Sequence, residues 1–306
     1  MNILLLGAGF SRNWHGWLAT ELVGELLGRL RDRTAITRQL RDKLNFEETL
    51  GNLQIAAETT GFHDELNAMQ LAITETFKDM NRSFVELAGL EFSSDQNRRI
   101  ATFLGRFDAI FTLNQDLLLE LHYDPFPNLW CTPGAQKPPG WDHMQAEEKI
   151  SSTWTIDESA VVPTNTQPVF KLHGSVNWRD QKDRNLIVMG ISKATSISKF
   201  PLLAWYFAKF REMLNAGNSK LMVIGYGFGD PHINNELKEA SERSDLNMYL
   251  VDPAGLQLFE PPANQAIGRM KKFPEFRWIG VSTRPFRDAF VGDRLQYESL
   301  VRFFKP

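Results

Sequence analysis

Asp108-Ala-Ile-Phe-Thr-Leu-Asn114-Gln-Asp116 is the stretch whose reading decides the fold. Its short apolar run reads as a buried parallel strand that ends in polar side chains. Three other segments repeat the arrangement: Ile3-Leu-Leu-Leu-Gly7-Ala-Gly9-Phe-Ser11, Pro168-Val-Phe-Lys-Leu-His173-Gly-Ser175 and Leu221-Met-Val-Ile-Gly225-Tyr-Gly227-Phe-Gly-Asp230. Each apolar run delivers glycines or small polar groups at the same end. Ligands of open α/β sheets bind outside the carboxyl ends of the strands. The pattern therefore predicts a dinucleotide site with chemistry attached.

Working outward, apolar runs predict further strands at 185–189, 246–251 and 276–281. Helices are predicted between them at 115–122, 200–216 and 231–243, and beyond them at 295–304. This alternation predicts an α/β fold, a Rossmann-like, doubly wound and mostly parallel sheet. After Ser11 the spacing turns helical, and from about 18 to 105 no convincing strand occurs. That stretch reads as helices near 17–31, 46–59, 62–80, 82–90 and 95–105, too much for an ordinary crossover. The expectation is a single domain over 1–306, with a sheet core of 1–17 and 106–306 and a helical insertion at about 18–105. Whether the insertion covers the site or only packs on the sheet stays open. Residues 124–167, with six prolines and three tryptophans, read as a binding or lid segment.

Composition sets the outer bounds. With 34 basic and 37 acidic residues the net charge of −3 carries no polyanion signature, so nucleic acid is not argued for. The single Cys131 excludes an intrachain disulfide and a cysteine-rich zinc site built from this chain. No apolar run reaches the length of a membrane span, and Ile3 to Leu6 is too short for a signal-peptide core. The expected compartment is cytoplasmic, with no membrane partner.

Four segments carry the candidate chemistry. Gly7-Ala8-Gly9-Phe-Ser11 lets a backbone approach a pyrophosphate, although Arg12 stands where the usual fingerprint has its third glycine. Gly225-Tyr-Gly227-Phe-Gly229 makes a second such turn. Asn114 would place a ribose hydroxyl or an attacking water, and Asp116 would accept from a carboxamide amine. The alternative for Asp116 is capping of the helix that follows it. His173 suits a general base or proton shuttle. His15, His63, His122, His143 and His232 rank below it. No metal is expected, because no two histidines have a helix-face ligand spacing.

Together the segments carry a resemblance. Gly-Ala-Gly-Phe-Ser (7–11), Thr-Leu-Asn-Gln-Asp (112–116), Lys-Leu-His-Gly-Ser (171–175) and Gly-Tyr-Gly-Phe-Gly-Asp-Pro-His-Ile-Asn (225–234) occur in the order seen in sirtuin-like domains. Over residues 3 to about 252 the chain most resembles the bacterial sirtuin-like NAD hydrolases of antiphage defence. The resemblance implies that Gly7, Ala8, Gly9 and Ser11 hold the diphosphate and that Asn114 and His173 are the catalytic pair. It further implies that Asp116 contacts the nicotinamide carboxamide. Gly225 and Gly227 would line the far nucleotide half, with Asp252 near the adenosine ribose.

Departures from the deacylase sirtuins narrow the expectation. Their four-cysteine zinc module is absent, Gly16-Trp-Leu-Ala-Thr stands where their Gly-Ile-Pro-Asp-Phe-Arg loop is expected, and Leu113 replaces a glutamine. What remains implies cleavage of NAD, as substrate, to nicotinamide and ADP-ribose with water as acceptor, a cyclic product being an option. A non-catalytic NAD- or ADP-ribose-binding regulatory subunit is the alternative, with a deacylase or ADP-ribosyltransferase third. The family also implies a homo-oligomer and a second protein such as a HerA-type ATPase.

Overall fold

The computed structural model describes residues 1–87, 89–122, 154–155, 167–180, 185–190, 192–259 and 276–305. Cys131, His143 and nearly all of the 124–167 segment lie outside the described residues. The strands are β1 (Asn2–Leu6), β2 (Ala109–Thr112), β3 (Trp154–Thr155), β4 (Val169–Lys171), β5 (Gly174–Arg179), β6 (Asn185–Ile187), β7 (Lys220–Ile224), β8 (Asn247–Val251) and β9 (Arg277–Ser282). The helices start with α1 (Ala8–Ser11), α2 (Ala19–Arg29), α3 (Thr34–Lys43), α4 (Phe46–Thr60), α5 (Asp64–Val85), α6 (Ile100–Leu104) and α7 (Leu118–His122). They continue with α8 (Lys193–Ser198), α9 (Pro201–Leu214), α10 (Pro231–Arg243), α11 (Asp288–Val291) and α12 (Arg294–Arg302).

The main sheet runs β4-β2-β1-β7-β8-β9, and every pairing in it is parallel. From β1 the chain builds outward through β2 to β4, then returns to the other side of β1 for β7, β8 and β9. The strand order therefore reverses between β1 and β7, which is the crevice where doubly wound sheets bind ligands. The central strand is apolar throughout because both its faces are covered, and Ile3, Leu4, Leu5 and Leu6 are each 0% exposed. Each such side chain contributes about 1.5–3 kcal/mol by leaving water. Phe111, Phe170, Tyr206 and Phe210 pack beneath β2 and β4, and Phe103, Phe107, Phe286 and Phe290 form a second aromatic layer.

Several elements differ from the sequence reading. The strand expected at 185–189 is β6, which leaves the main sheet and pairs antiparallel with the unanticipated β5. Gly174 makes that pairing possible: its φ is +72°, and a side-chain carbon there would stand 2.0 Å from the Leu186 carbonyl oxygen. Helix α3 was missed because only Ile36, Thr37 and Leu40 face inward in an otherwise charged segment. The two helices expected at 62–80 and 82–90 are largely one, α5, whose buried side chains continue from Met69 to Phe84.

The helices between β1 and β2 reach the sheet's ligand-binding edge. Asn45 caps α4 by accepting from the amides of Glu47 and Glu48, and Gly61 ends it in a left-handed turn. This start holds Glu47 against Lys193, at 2.7 Å. Asn81, buried on α5, accepts from the amide of Leu117 just ahead of α7. No helix among the described residues is long and apolar enough to cross a membrane.

Candidate functional site

The glycine turns after β1 and β7 interlock. The Gly7 amide donates to the Ile224 carbonyl at 3.0 Å, and the Gly9 amide donates to the Gly225 carbonyl at 2.8 Å. A side-chain carbon at Gly225, where φ is +65°, would sit 2.3 Å from backbone atoms of Gly9 and Phe10. One at Gly7 would meet the Gly225 oxygen at 2.6 Å. These three glycines are thus required for one backbone to pass another. Gly227 is different: it is exposed, and a side chain there would meet nothing within 4 Å. Ala8 is likewise exposed, beside the crevice.

Phe228, between Gly227 and Gly229, has a φ of +53°, which a phenylalanine adopts only under constraint. Burial among Tyr226, Phe276 and Trp278 supplies that constraint. The loop is braced further by Asn234, whose side-chain amide donates to the Phe228 carbonyl while its Oδ1 accepts from the Tyr226 hydroxyl.

Asn114 is buried just past β2. Its side-chain amide donates to the Gly7 carbonyl at 3.0 Å and to Ser11 Oγ at 3.1 Å. Its Oδ1 has no donor among the described residues and is the atom left for a ligand or a water. The Ser11 hydroxyl in turn donates to Asp116 Oδ2 at 2.8 Å, and the Leu118 amide donates to Asp116 Oδ1. Asp116 therefore does cap α7, and both its carboxylate oxygens are engaged within the chain. Burial raises its pKa, with Lys171, Ser11 and the Leu118 amide opposing. Lys171 donates to the Asp116 carbonyl at 2.6 Å and to Glu120 Oε1 at 2.7 Å, an ion pair almost wholly out of water. Asp252 stands just past β8, where its Oδ1 accepts from the Ala254 amide.

His173 lies just past β4, on the strand that pairs with β2, with Thr112 level with Lys171. The Leu113 backbone favours the protonated form of its ring. Its Nε2 stands 3.0 Å from Nε2 of His232, a contact in which one nitrogen donates and the other accepts according to tautomer. Burial and then Lys193 push the His173 pKa down to about 3, Asp230 opposing. The His232 pKa is also lowered, chiefly by burial.

On sequence grounds His232 ranks below His173, yet the fold places the two in contact. It sits in the first turn of α10, with Phe207 of α9 beside its ring. Asp230, the residue that precedes α10, is paired with Lys193 at 2.7 Å, and Lys193 also reaches Glu47. Helices near 46–59 and at 231–243 are legible from hydrophobic spacing; the meeting of α4, α8 and the start of α10 around one lysine is not.

The carboxyl edge of the sheet thus gathers Gly7, Ala8, Gly9, Ser11, Asn114, Asp116 and His173 from neighbouring strand ends. Gly225, packed against Gly9, and Gly227 follow β7, and Asp252 follows β8. Against this geometry, the model of the SIR2-like domain family matches residues 108–269, rather more than half of the chain. The chain belongs to the SIR2-like domain family. Members of the family are in general NAD-dependent enzymes, and the family binds NAD, so the function is NAD-related. The matched span holds Asn114, Asp116, His173, Gly225, Gly227 and Asp252, while the Gly7–Ser11 turn lies ahead of it. A search of curated proteins gave no match.

The chemistry of the residues at this edge is compatible with a nucleotide such as NAD. Gly227 is exposed with open space around it, and Asn114 is a buried side chain whose Oδ1 has no donor among the described residues.

Proposed function

We propose that the chain is an NAD+ glycohydrolase that cleaves the nicotinamide–ribose bond to nicotinamide and ADP-ribose. The observation that carries the reading is the placement of Asn114 and His173. Both are buried polar groups at the carboxyl ends of the adjacent strands β2 and β4, and β2 neighbours the strand at which the order reverses. Breaking the bond expels a neutral base and leaves an oxocarbenium-like sugar. Asn114 Oδ1 would position a ribose hydroxyl or the attacking water. His173 Nε2 would take up a proton once His232 swings away from it. Asp116 would orient the leaving nicotinamide by exchanging its bond to Ser11 for one to the carboxamide. General acid–base help of this kind typically contributes about 10²–10⁴-fold. On the same reading the enzyme is an antiphage-defence effector that depletes NAD as an oligomer, with a regulator supplied in trans.

One observation favours a second reading, a non-catalytic NAD- or ADP-ribose-binding subunit. A histidine held at a pKa of about 3, with its Nε2 facing another histidine, is a weak base at neutral pH. Incubation with NAD and chromatography of the products separates the two. The hydrolase reading expects nicotinamide and ADP-ribose from the wild type and a loss of about 10²-fold or more in Asn114→Ala and His173→Ala. Undiminished turnover in both variants sinks the site assignment. NAD binding without turnover under any condition supports the sensor.

A further inference from the structure

His173, Asp230 and His232 each offer one ligand atom, and the three atoms all lie within 4.8 Å of one another. Their positions in sequence would not suggest a site, since the two histidines are separated by 59 residues and come from different elements. Two imidazoles and a carboxylate are a common donor set for zinc, which binds nitrogen at about 2.0–2.1 Å and carboxylate oxygen at about 2.0–2.2 Å. A tetrahedral ion with such bonds sets its ligand atoms about 3.4 Å apart. The two Nε2 atoms already stand 3.0 Å apart, so a small separation of the rings and an inward turn of Asp230 would complete three corners.

The surroundings suit a cation. Glu47 and Asp230 together present two carboxylates to the single ammonium of Lys193, so Lys193 can stay on Glu47 when Asp230 turns. Asp230 and His232 are only partly buried, which leaves an approach from solvent.

We propose that His173, Asp230 and His232 form a binding site for a zinc-like divalent cation, which locks His173 away from substrate. Loading moves the proton between the two Nε2 atoms to Nδ1 of the ring that carries it, so both Nε2 lone pairs face the ion and no net proton is released. The inhibitory consequence rests on the hydrolase reading; the binding itself does not.

The test is calorimetric titration of the untagged, metal-free full chain with ZnCl₂, with Co²⁺ absorption as a report on tetrahedral geometry. One ion per chain is expected. Affinity should fall about 100-fold in His232→Ala and about tenfold or more in Asp230→Asn. Zinc should raise the melting temperature of the wild type and leave that of His232→Ala unmoved. His232→Gln keeps a hydrogen bond to His173 but loses the ligand, so a folded His232→Gln that binds zinc weakly supports ligation over a folding defect. In the wild type, zinc should suppress NAD cleavage and a chelator should restore it. Absence of zinc binding by the wild type, or equal affinity in the wild type, His173→Ala and His232→Ala, overturns the proposal. Because binding is read without NAD, a protein that binds zinc but never cleaves NAD rejects the hydrolase reading and leaves the site standing.

Discussion

At the residue scale, the glycines of the two turns divide into those the protein needs for itself and those it leaves facing outward. Gly225 carries backbone at a φ of +65° with Gly9 pressed against its α-carbon, so Gly225→Ala meets both strain and overlap. The expected cost is at least about 2 kcal/mol in urea denaturation. Gly227 has open space and no positive φ, so Gly227→Ala should change stability by less than about 0.5 kcal/mol. If Gly227 lines the nucleotide half, the same substitution should nevertheless weaken NAD binding, read by calorimetry. The glycine pattern was legible in the sequence. Which glycine serves the fold and which the ligand was not, because that depends on a contact between residues 9 and 225 that local spacing does not encode.

At the scale of elements, α7 is tied to β4 by a buried ion pair. Lys171 and Glu120 are each almost fully buried, and Glu120 Oε2 has no partner among the described residues. Lys171→Met removes the cation that offsets the buried carboxylate and the donor to the Asp116 carbonyl. It should destabilise by about 3–5 kcal/mol, the usual cost of breaking such a pair. Lys171→Met with Glu120→Leu should recover much of this loss, since replacing both charges with apolar groups is often neutral. Equal destabilisation of the single and double variants in urea titration would show that the loss comes from packing. The sequence reading placed a strand at 168–172 and a helix at 115–122 but read Lys171 only as part of a motif. A lysine inside an apolar strand is a signal for a buried partner, and it identifies neither which one nor where.

At the scale of the whole molecule, the buried histidines make stability depend on pH. Burial holds His122 and His173 at about 3, against an ordinary value of 6.5. Between those values the unfolded chain binds a proton that the folded chain refuses, so each histidine costs stability as pH falls from about 6.5 towards 3. The carboxyls of Asp116, Glu120 and Glu47, raised by burial, act in the opposite sense, because there the folded chain holds protons the unfolded chain has released. His122 packs between Phe10 and Trp14, and its Nε2 has no partner among the described residues. His122→Leu should therefore reduce the pH dependence across that window by about 1.4 kcal/mol per pH unit. Denaturant titrations at a series of pH values check this, and parallel curves for the two proteins would refute it.

By itself the sequence determined the strands of the parallel sheet, the edge they share and the side chains delivered there. It could do so because apolar runs ending in glycine, Asn114 or His173 are local features, and the period of a buried strand needs no partner to be read. Only the tertiary structure decided that β6 leaves the main sheet and that the two glycine turns interlock. It alone showed the Asp116 carboxylate bonded to Ser11, and His232 standing against His173. Local spacing cannot relate the residues of these contacts. The interlocked turns and the Ser11–Asp116 bond follow from β1 lying between β2 and β7, which brings the ends of distant strands together.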